Sequence, residues 1–576
     1  MANLSKTKVV FLWHMHQPDY RDIVTGEYYF PWTYLHAIKD YVDMAAHLEA
    51  QPNAKAVVNF APILLEQLDD YAQQIKQYLH HQGEIKDQIL SSLVEPVLPP
   101  PGSPAFLELA QKYLRANRSR MIERFPVYRE LADTLESLHQ KPFLAQYLNH
   151  QFLIDLGVWY HLSWLAETLR RDDNRIQDLQ DKARHFSMND RRLLLTIIGE
   201  LMSSIVPRYR RLAEKKQIEL CMSPYAHPIV PLLIDINSAK EAMPDVSLPL
   251  ASNYPDGVNR SIWHLNQGKK VFKDHFGIEP VGCWASEGAL SDATLSLLHE
   301  NGFAWAATGD SVLHNSVADP ANDATCKDWK SPHKNLHRNF HIGKSSINLF
   351  FRDDGLSDLI GFKYATWHAD DAVGDLINHM VAISESAKDN KNTVISIIMD
   401  GENAWEYFPE NAYYFLSQLY RRISEHPQLE LSTYSEILRD QKPEPLKLKH
   451  LVAGSWVYGT FSTWIGDDDK NKAWDMLCNA KQDADAALKK KSFSKDEIFQ
   501  IEKQMALCEG SDWFWWFGDY NPSQSVKDFD YLYRRHLANL YRLINEPAPA
   551  YLQQVISEGG SSEPAAGGVM RQGHAE

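Results

Sequence analysis

Two carboxylic acids stand where an enzyme of α/β architecture puts its chemistry. Asp400 closes an almost unbroken apolar run at residues 394–399, in TVISIIMDGENAWEYF, and Glu287 follows a shorter run ending in CWASEGALS. An acid at the carboxyl end of a buried parallel strand faces the mouth of the sheet. The two lie 113 positions apart, yet strand ends of a barrel converge on one face. A carboxylate pair across a glycosidic bond is the minimal apparatus for glycoside hydrolysis. One acid attacks the anomeric carbon or activates water, and the other protonates the leaving oxygen. Carboxyls about 5–5.5 Å apart retain the anomeric configuration through a covalent intermediate. Asp310, Asp353, Asp354 and Glu402 are rivals at similar positions, and a strand-end Asp is equally a helix cap, so the residues alone leave the pairing open.

His14 and His16, in HMHQPDY, form a second constellation. Period-two alternation puts both on one face of a strand end, and Pro18 stops the ladder behind them. Such a pair offers metal ligands, with Asp310 or Asp400 completing a site, or hydrogen bonds to sugar hydroxyls. The first use would make a metal-dependent hydrolase of the polysaccharide deacetylase kind; the second needs no cofactor.

Strands at 8–13, 54–60, 218–222, 280–285, 303–307, 347–351 and 394–399 must position these groups. Helical patterns separate them, and strands alternating with helices imply a parallel sheet. Seven such units suggest an α/β fold closed into an incomplete (β/α)7 barrel, one unit short of the eight-stranded form. Residues 1–440 would hold this barrel, with a helical insertion at about 70–216 that carries Trp159, Trp164 and Glu167, expected in its core. Its last helix, 191–215, takes Asn189 as the expected cap. Residues 441–545 read as a helical domain contributing to the cleft, and 546–576, with EGGSSEPAAGG, as a disordered tail.

The chain has 576 residues and a net charge of −16, which argues against a nucleic-acid partner. Five scattered cysteines (Cys221, Cys283, Cys326, Cys478, Cys508) form no C-x-x-C pair and suit a reducing cytoplasm. No apolar stretch reaches the length of a membrane span, and no G-x-G-x-x-G or P-loop supports a nucleotide cofactor. Oligomeric state is not written in the sequence.

HMHQPDY, QIELCMSPYAHPIVPLL, CWASEGALS, MDGENAWEYFPENA and LSTYSEIL resemble, in order, the five signature regions of glycoside hydrolase family 57. The resemblance extends to GSWVYGTFSTWIGDDDKNKAWD and EGSDWFWWFGD. It implies a barrel of seven β/α units with a helical region, and a retaining enzyme acting on α-glucans, with Glu287 as nucleophile and Asp400 as general acid/base. The matching segments place His14, His16, Glu219, His227, Trp284 and Trp405 against substrate. Trp456, Tyr458, Trp464 and Trp513 are expected from the helical domain as acceptor-side aromatics. Glu436 falls in a Ser-Glu pair that the family shares, and a helix-start role suits it. The H-Q-P and DGENAWEYF forms favour the amylopullulanase and α-amylase side over the branching enzymes. Transfer to a sugar acceptor at the same carboxylates is the competing activity.

Overall fold

The structure, a computed structural model, describes residues 6–138, 142–326, 335–387, 392–440 and 444–560. Among them one sheet contains β1 (Thr7–Met15), β2 (Ala56–Phe60), β3 (Ile218–Met222), β4 (Gly282–Cys283), β5 (Trp305–Gly309), β6 (Phe340–Ile342), β7 (Asn348–Arg352), β8 (Val394–Asp400), β9 (Leu429–Leu431) and β10 (Leu446–Leu448). The order is β10-β6-β7-β5-β4-β3-β2-β1-β8, with β9 beside the start of β1. Every ladder is parallel except β6 with β7. The seven expected strands are all present. Three more went unread: three-residue segments such as LEL and LKL are too short for alternation to show.

The apolar runs are buried on both faces, as strands between helices and a filled interior must be. β1 and β8 pair so that His14 stands opposite Asp400. β4 is only two residues long, and Gly282 lies under Trp305: a Cβ there would meet the indole at 1.9 Å. Trp284 N–H still donates to Met222 O at 3.1 Å before the chain turns into Glu287.

Between β7 and β8 no ladder pairing is found among the described residues. Other groups span the gap. Asp353 N–H donates to Ser396 O at 2.8 Å, Arg352 Nε to Ile398 O at 2.8 Å, and Ile398 N–H to Ser357 Oγ at 3.3 Å.

The segment between β2 and β3 is helical throughout its described elements and ends in the helix Met188–Glu214. Its cap is Ser187, not Asn189. Ser187 and Asp190 form a reciprocal capping box, which satisfies two backbone donors where Asn189 would satisfy none. After β10 come the helices Asp468–Lys490, Lys495–Cys508, Ser511–Trp516 and Ser523–Leu543. A buried ion cluster fastens them to the helix Gly257–Phe276, between β3 and β4. Arg260 donates to both oxygens of Glu509 at 2.8 Å, and His264 Nε2 meets Glu509 at 2.8 Å. This cation holds the Glu509 carboxyl down at about 2 against the cost of burial.

The expected disorder does not begin at residue 546. Residues 550–553 form a helical turn, Ile556 and Ser557 are buried, and Gly560 pairs with Pro522. Asp530 on the helix Ser523–Leu543 accepts from the N–H groups of both Ile556 and Ser557, which gives this stretch partners that composition does not reveal. Residues 561–576 lie outside the described residues. No described helix is long and apolar enough to cross a membrane.

Candidate active site

Glu287 sits in a single turn after β4, in the left-handed region at φ 57° and ψ 23°. A non-glycine residue held there costs roughly 1–3 kcal/mol and persists only where its surroundings enforce it. Two bonds from Trp456 do so: its N–H reaches Glu287 O at 3.1 Å, and its Nε1 reaches Glu287 Oε2 at 3.1 Å. Asp400 ends β8 and accepts from Asn403 Nδ2 at 3.0 Å. It caps no helix. Both acids line one cleft of about 1250 Å³.

Burial pushes Glu287 up to about 8, helped by the negative charges of Asp400 and Asp512, while bonds from Trp456 and Ser511 pull the other way. Asp400 is also raised, by burial, with His16 and Arg352 opposing. The charge of Asp400 is thus one of the causes that raise Glu287, and the two acids titrate as a coupled pair.

His14, His16 and His227 form a stack beside the pair. Ring centroids are 5.6 Å apart for His14 and His16, 5.0 Å for His14 and His227, and 3.9 Å for His16 and His227. Burial lowers His14 to about 3 and His227 well below its ordinary value. His14 Nδ1 meets Asn59 Oδ1 at 2.6 Å, His227 Nδ1 meets Ser511 Oγ at 2.9 Å, and His16 Nε2 meets Asp512 at 2.9 Å. His227 Nδ1 is 3.7 Å from Glu287 Oε1.

Among the described residues, His16, His227 and Asp512 bring ligand-type atoms within 4.8 Å of one another; His14 is not of this group. The imidazoles of His16 and His227 are face to face, 21° from parallel, so their in-plane lone pairs run side by side instead of meeting at a point. Zinc-type coordination needs convergent lone pairs. This face-to-face arrangement weighs against metal-dependent hydrolysis through the strand-end histidines.

A family model, glycosyl hydrolase family 57, matches residues 10–449. The chain belongs to that family. It is an enzyme of the glycoside hydrolase class, as the motifs at His14, Glu287 and Asp400 imply. Similar solved structures are a family 57 branching enzyme from Pyrococcus horikoshii (15% identity, TM-score 0.56, 95% of this chain and 96% of that one) and the α-amylase AmyC from Thermotoga maritima (14%, 0.55, 94% and 93%). The branching enzyme TK1436 from Thermococcus kodakaraensis, solved with glucose, matches at 15% identity and TM-score 0.54, over 93% of this chain and 90% of that one. No curated protein sequence matches. At these identities the likeness is one of fold.

The family 57 cleft takes up some of the expected residues and leaves others out. His14, His16, Trp456 and Tyr458 line it, and Trp164 reaches it from the insertion. His227, the third ring of the stack, is fully buried and does not line the cleft. Glu219 does not reach it. The second residue of β3, it lies toward the end of the strand opposite the cleft, and it accepts from Ser435 N, Ser435 Oγ and Trp305 Nε1 at 2.9, 2.6 and 2.7 Å. Those donors occupy it structurally. Trp284 is fully buried and meets Trp456 edge-on at 5.2 Å, so it supports the cleft wall without facing sugar. Trp405 is also core, bonded to Gly401 O at 3.0 Å and packed on Trp13. Trp464 and Trp513 are buried in the helical domain, Trp513 with its Nε1 on Leu507 O at 2.8 Å. The four rivals have other partners, Asp310 being hydrogen-bonded to Asp354. Asp353 caps the helix Asp354–Asp358, Asp354 pairs with Arg352, and Glu402 accepts from His16 N and Gln17 Nε2. Glu436 lies in the first turn of Tyr434–Asp440 and pairs with Lys55.

Two groups that line the cleft escaped the sequence reading. Asp512 binds His16 and acts on Glu287, and Arg352 stands between the ends of β7 and β8. Trp515 and Trp516, also unread, line the cleft where Trp513 does not. All three tryptophans share one short helix, and its packing decides which face the cleft.

Proposed function

We propose that this enzyme is a retaining glycosidase on α-1,4-glucans that works by double displacement between Glu287 and Asp400. The observation that carries the reading is the meeting of these two acids, one after β4 and one at the end of β8, in one cleft where the charge of Asp400 helps to raise Glu287. Asp400 would protonate the leaving oxygen while ionised Glu287 attacks the anomeric carbon. Asp400 would then activate the water that releases the sugar. The indole N–H of Trp456 stabilises ionised Glu287. Burial leaves the proton preferentially on Glu287, so the productive form is the one in which that proton has passed to Asp400. Architecturally, the reading takes the sheet as a (β/α)7 barrel left open between β7 and β8.

The relatives of similar fold include an α-amylase and branching enzymes, and a 4-α-glucanotransferase from Thermococcus litoralis matches at 13% identity and TM-score 0.50, over 93% of this chain and 60% of that one. Transfer is thus the second reading, favoured by the aromatics Trp515, Trp516, Tyr520 and Phe529 along the cleft wall, which suit a sugar acceptor. Incubation with maltoheptaose and with pullulan separates the two. Shorter products alone mean hydrolysis, a ladder above the substrate means transfer, and two unchanged substrates overturn the α-glucan reading. The five buried free cysteines suit the same proposal's cytoplasmic setting.

Asp512→Asn should shift the alkaline limb of the kcat/KM profile to lower pH. The negative charge of Asp512 raises Glu287, so its removal lets the pair lose its last proton earlier. An unmoved limb, measured on maltoheptaose, would dissociate Asp512 from the pair.

A further inference from the structure

Arg352 ends β7 with its side chain only 6% exposed, in the gap that no ladder closes. Its guanidinium is engaged on every side. Nε donates to Ile398 O at 2.8 Å, Nη1 to Asp354 Oδ1 at 2.6 Å and Nη2 to Asp358 Oδ1 at 2.8 Å. Its face lies 5.4 Å from the ring of Trp456. Two of these partners lead to the acids. Ile398 is two residues before Asp400 on β8, and Trp456 makes the two bonds that hold Glu287 in its strained turn.

We propose that Arg352 is a positioning residue that fixes Asp400 and Glu287 relative to each other, by tying β8 to β7 through Ile398 and seating the indole of Trp456. The inference rests on the two-carboxylate reading. Filling a gap does not require a cation. Burying one costs several kcal/mol unless it is paired, and an apolar side chain would fill the same volume. What the guanidinium adds is a planar fork with fixed directions, which a point-charged lysine lacks. The charges around it are Asp354 and Asp358 beyond β7, Asp310 after β5, bonded in turn to Asp354, and Asp400 on β8, whose carboxyl it draws downward.

Three variants test this. Arg352→Lys keeps the charge and loses the fork; kcat on maltoheptaose is expected to fall about 10- to 100-fold, with KM within about threefold, the loss a misplacement near 1 Å brings. Arg352→Met also removes the charge. Its alkaline limb is expected at higher pH, because Asp400 loses a neighbouring cation, the opposite shift to that of Asp512→Asn. Asp358→Asn loosens one arm from outside the cleft lining and should cost kcat about two- to fivefold while the protein folds normally. Folded variants with wild-type kcat and an unmoved limb overturn the inference. So does a lower melting temperature with both unchanged, which would make Arg352 a stabilising residue alone. Wild-type protein inactive on maltoheptaose and on α-glucosyl fluoride overturns the two-carboxylate reading itself, a failure seen before any variant is made.

Discussion

Glu287→Gln is expected to lower maltoheptaose turnover by at least about a thousandfold, since the proposed mechanism forms its covalent intermediate on this carboxylate. The fold should survive. The amide keeps the volume of the acid, and its oxygen still accepts from Trp456 Nε1. Stability should respond in a particular direction. The folded-state value of Glu287, about 8, lies above its ordinary 4.5, so its favourable contribution is full below about pH 4.5 and is lost as pH rises through 8. Gln cannot ionise. The variant should therefore match wild type in acid and melt higher than wild type at pH 9. Azide assigns the chemical role. With Glu287→Ala and α-glucosyl fluoride, azide takes the place of the carboxylate and the product is the β-azide, of inverted configuration. Full activity in Glu287→Gln would sink the nucleophile assignment.

Asp400→Asn should split substrates by leaving group. Maltoheptaose needs a proton on its departing oxygen, and its turnover is expected to fall about 10²- to 10⁴-fold. Fluoride leaves without that proton, so the first step on α-maltosyl fluoride should be affected far less. The second step still needs Asp400 as base. The covalent intermediate should then accumulate and appear as an added maltosyl mass on a peptide containing Glu287. Azide added to Asp400→Ala should release it as the α-azide, of retained configuration. Equal losses on glucan and fluoride would remove Asp400 from the role of proton donor.

The acids were legible because strand ends are abrupt. A run such as VISIIM gives way at once to DGEN, and the same break follows the HMH of β1. The motif order then chose Glu287 and Asp400 among several equal candidates. Glu219 misled although its strand was read at the right residues. Its place near the start of β3 points it away from the carboxyl-end face, and that much was available from alternation and direction alone. Trp405, Trp464 and Trp513 misled for a different reason. Large aromatics are core by default, and only the packing of the helix Ser511–Trp516 decides that residues 512, 515 and 516 face the cleft while 513 does not. Asp512 looks like any first-turn acid, and Arg352 like any charge after a strand. Their meaning lies in contacts across 496 and 46 positions, to His16 and Ile398, which no local pattern carries.

The clamp of Arg260 and His264 on Glu509 has a consequence for how this enzyme can diverge. It seats Asp512 three residues further on, and both Asp512 and Trp456 lie after residue 449, where the family match ends. On the proposed reading the reacting groups come from strand ends, while Asp512, Trp456 and the aromatics Trp515 and Trp516 come from the part of the chain after residue 449. A helical domain from a transferase, grafted at the clamp, could redirect the sugar from water to another chain with every reacting group left in place.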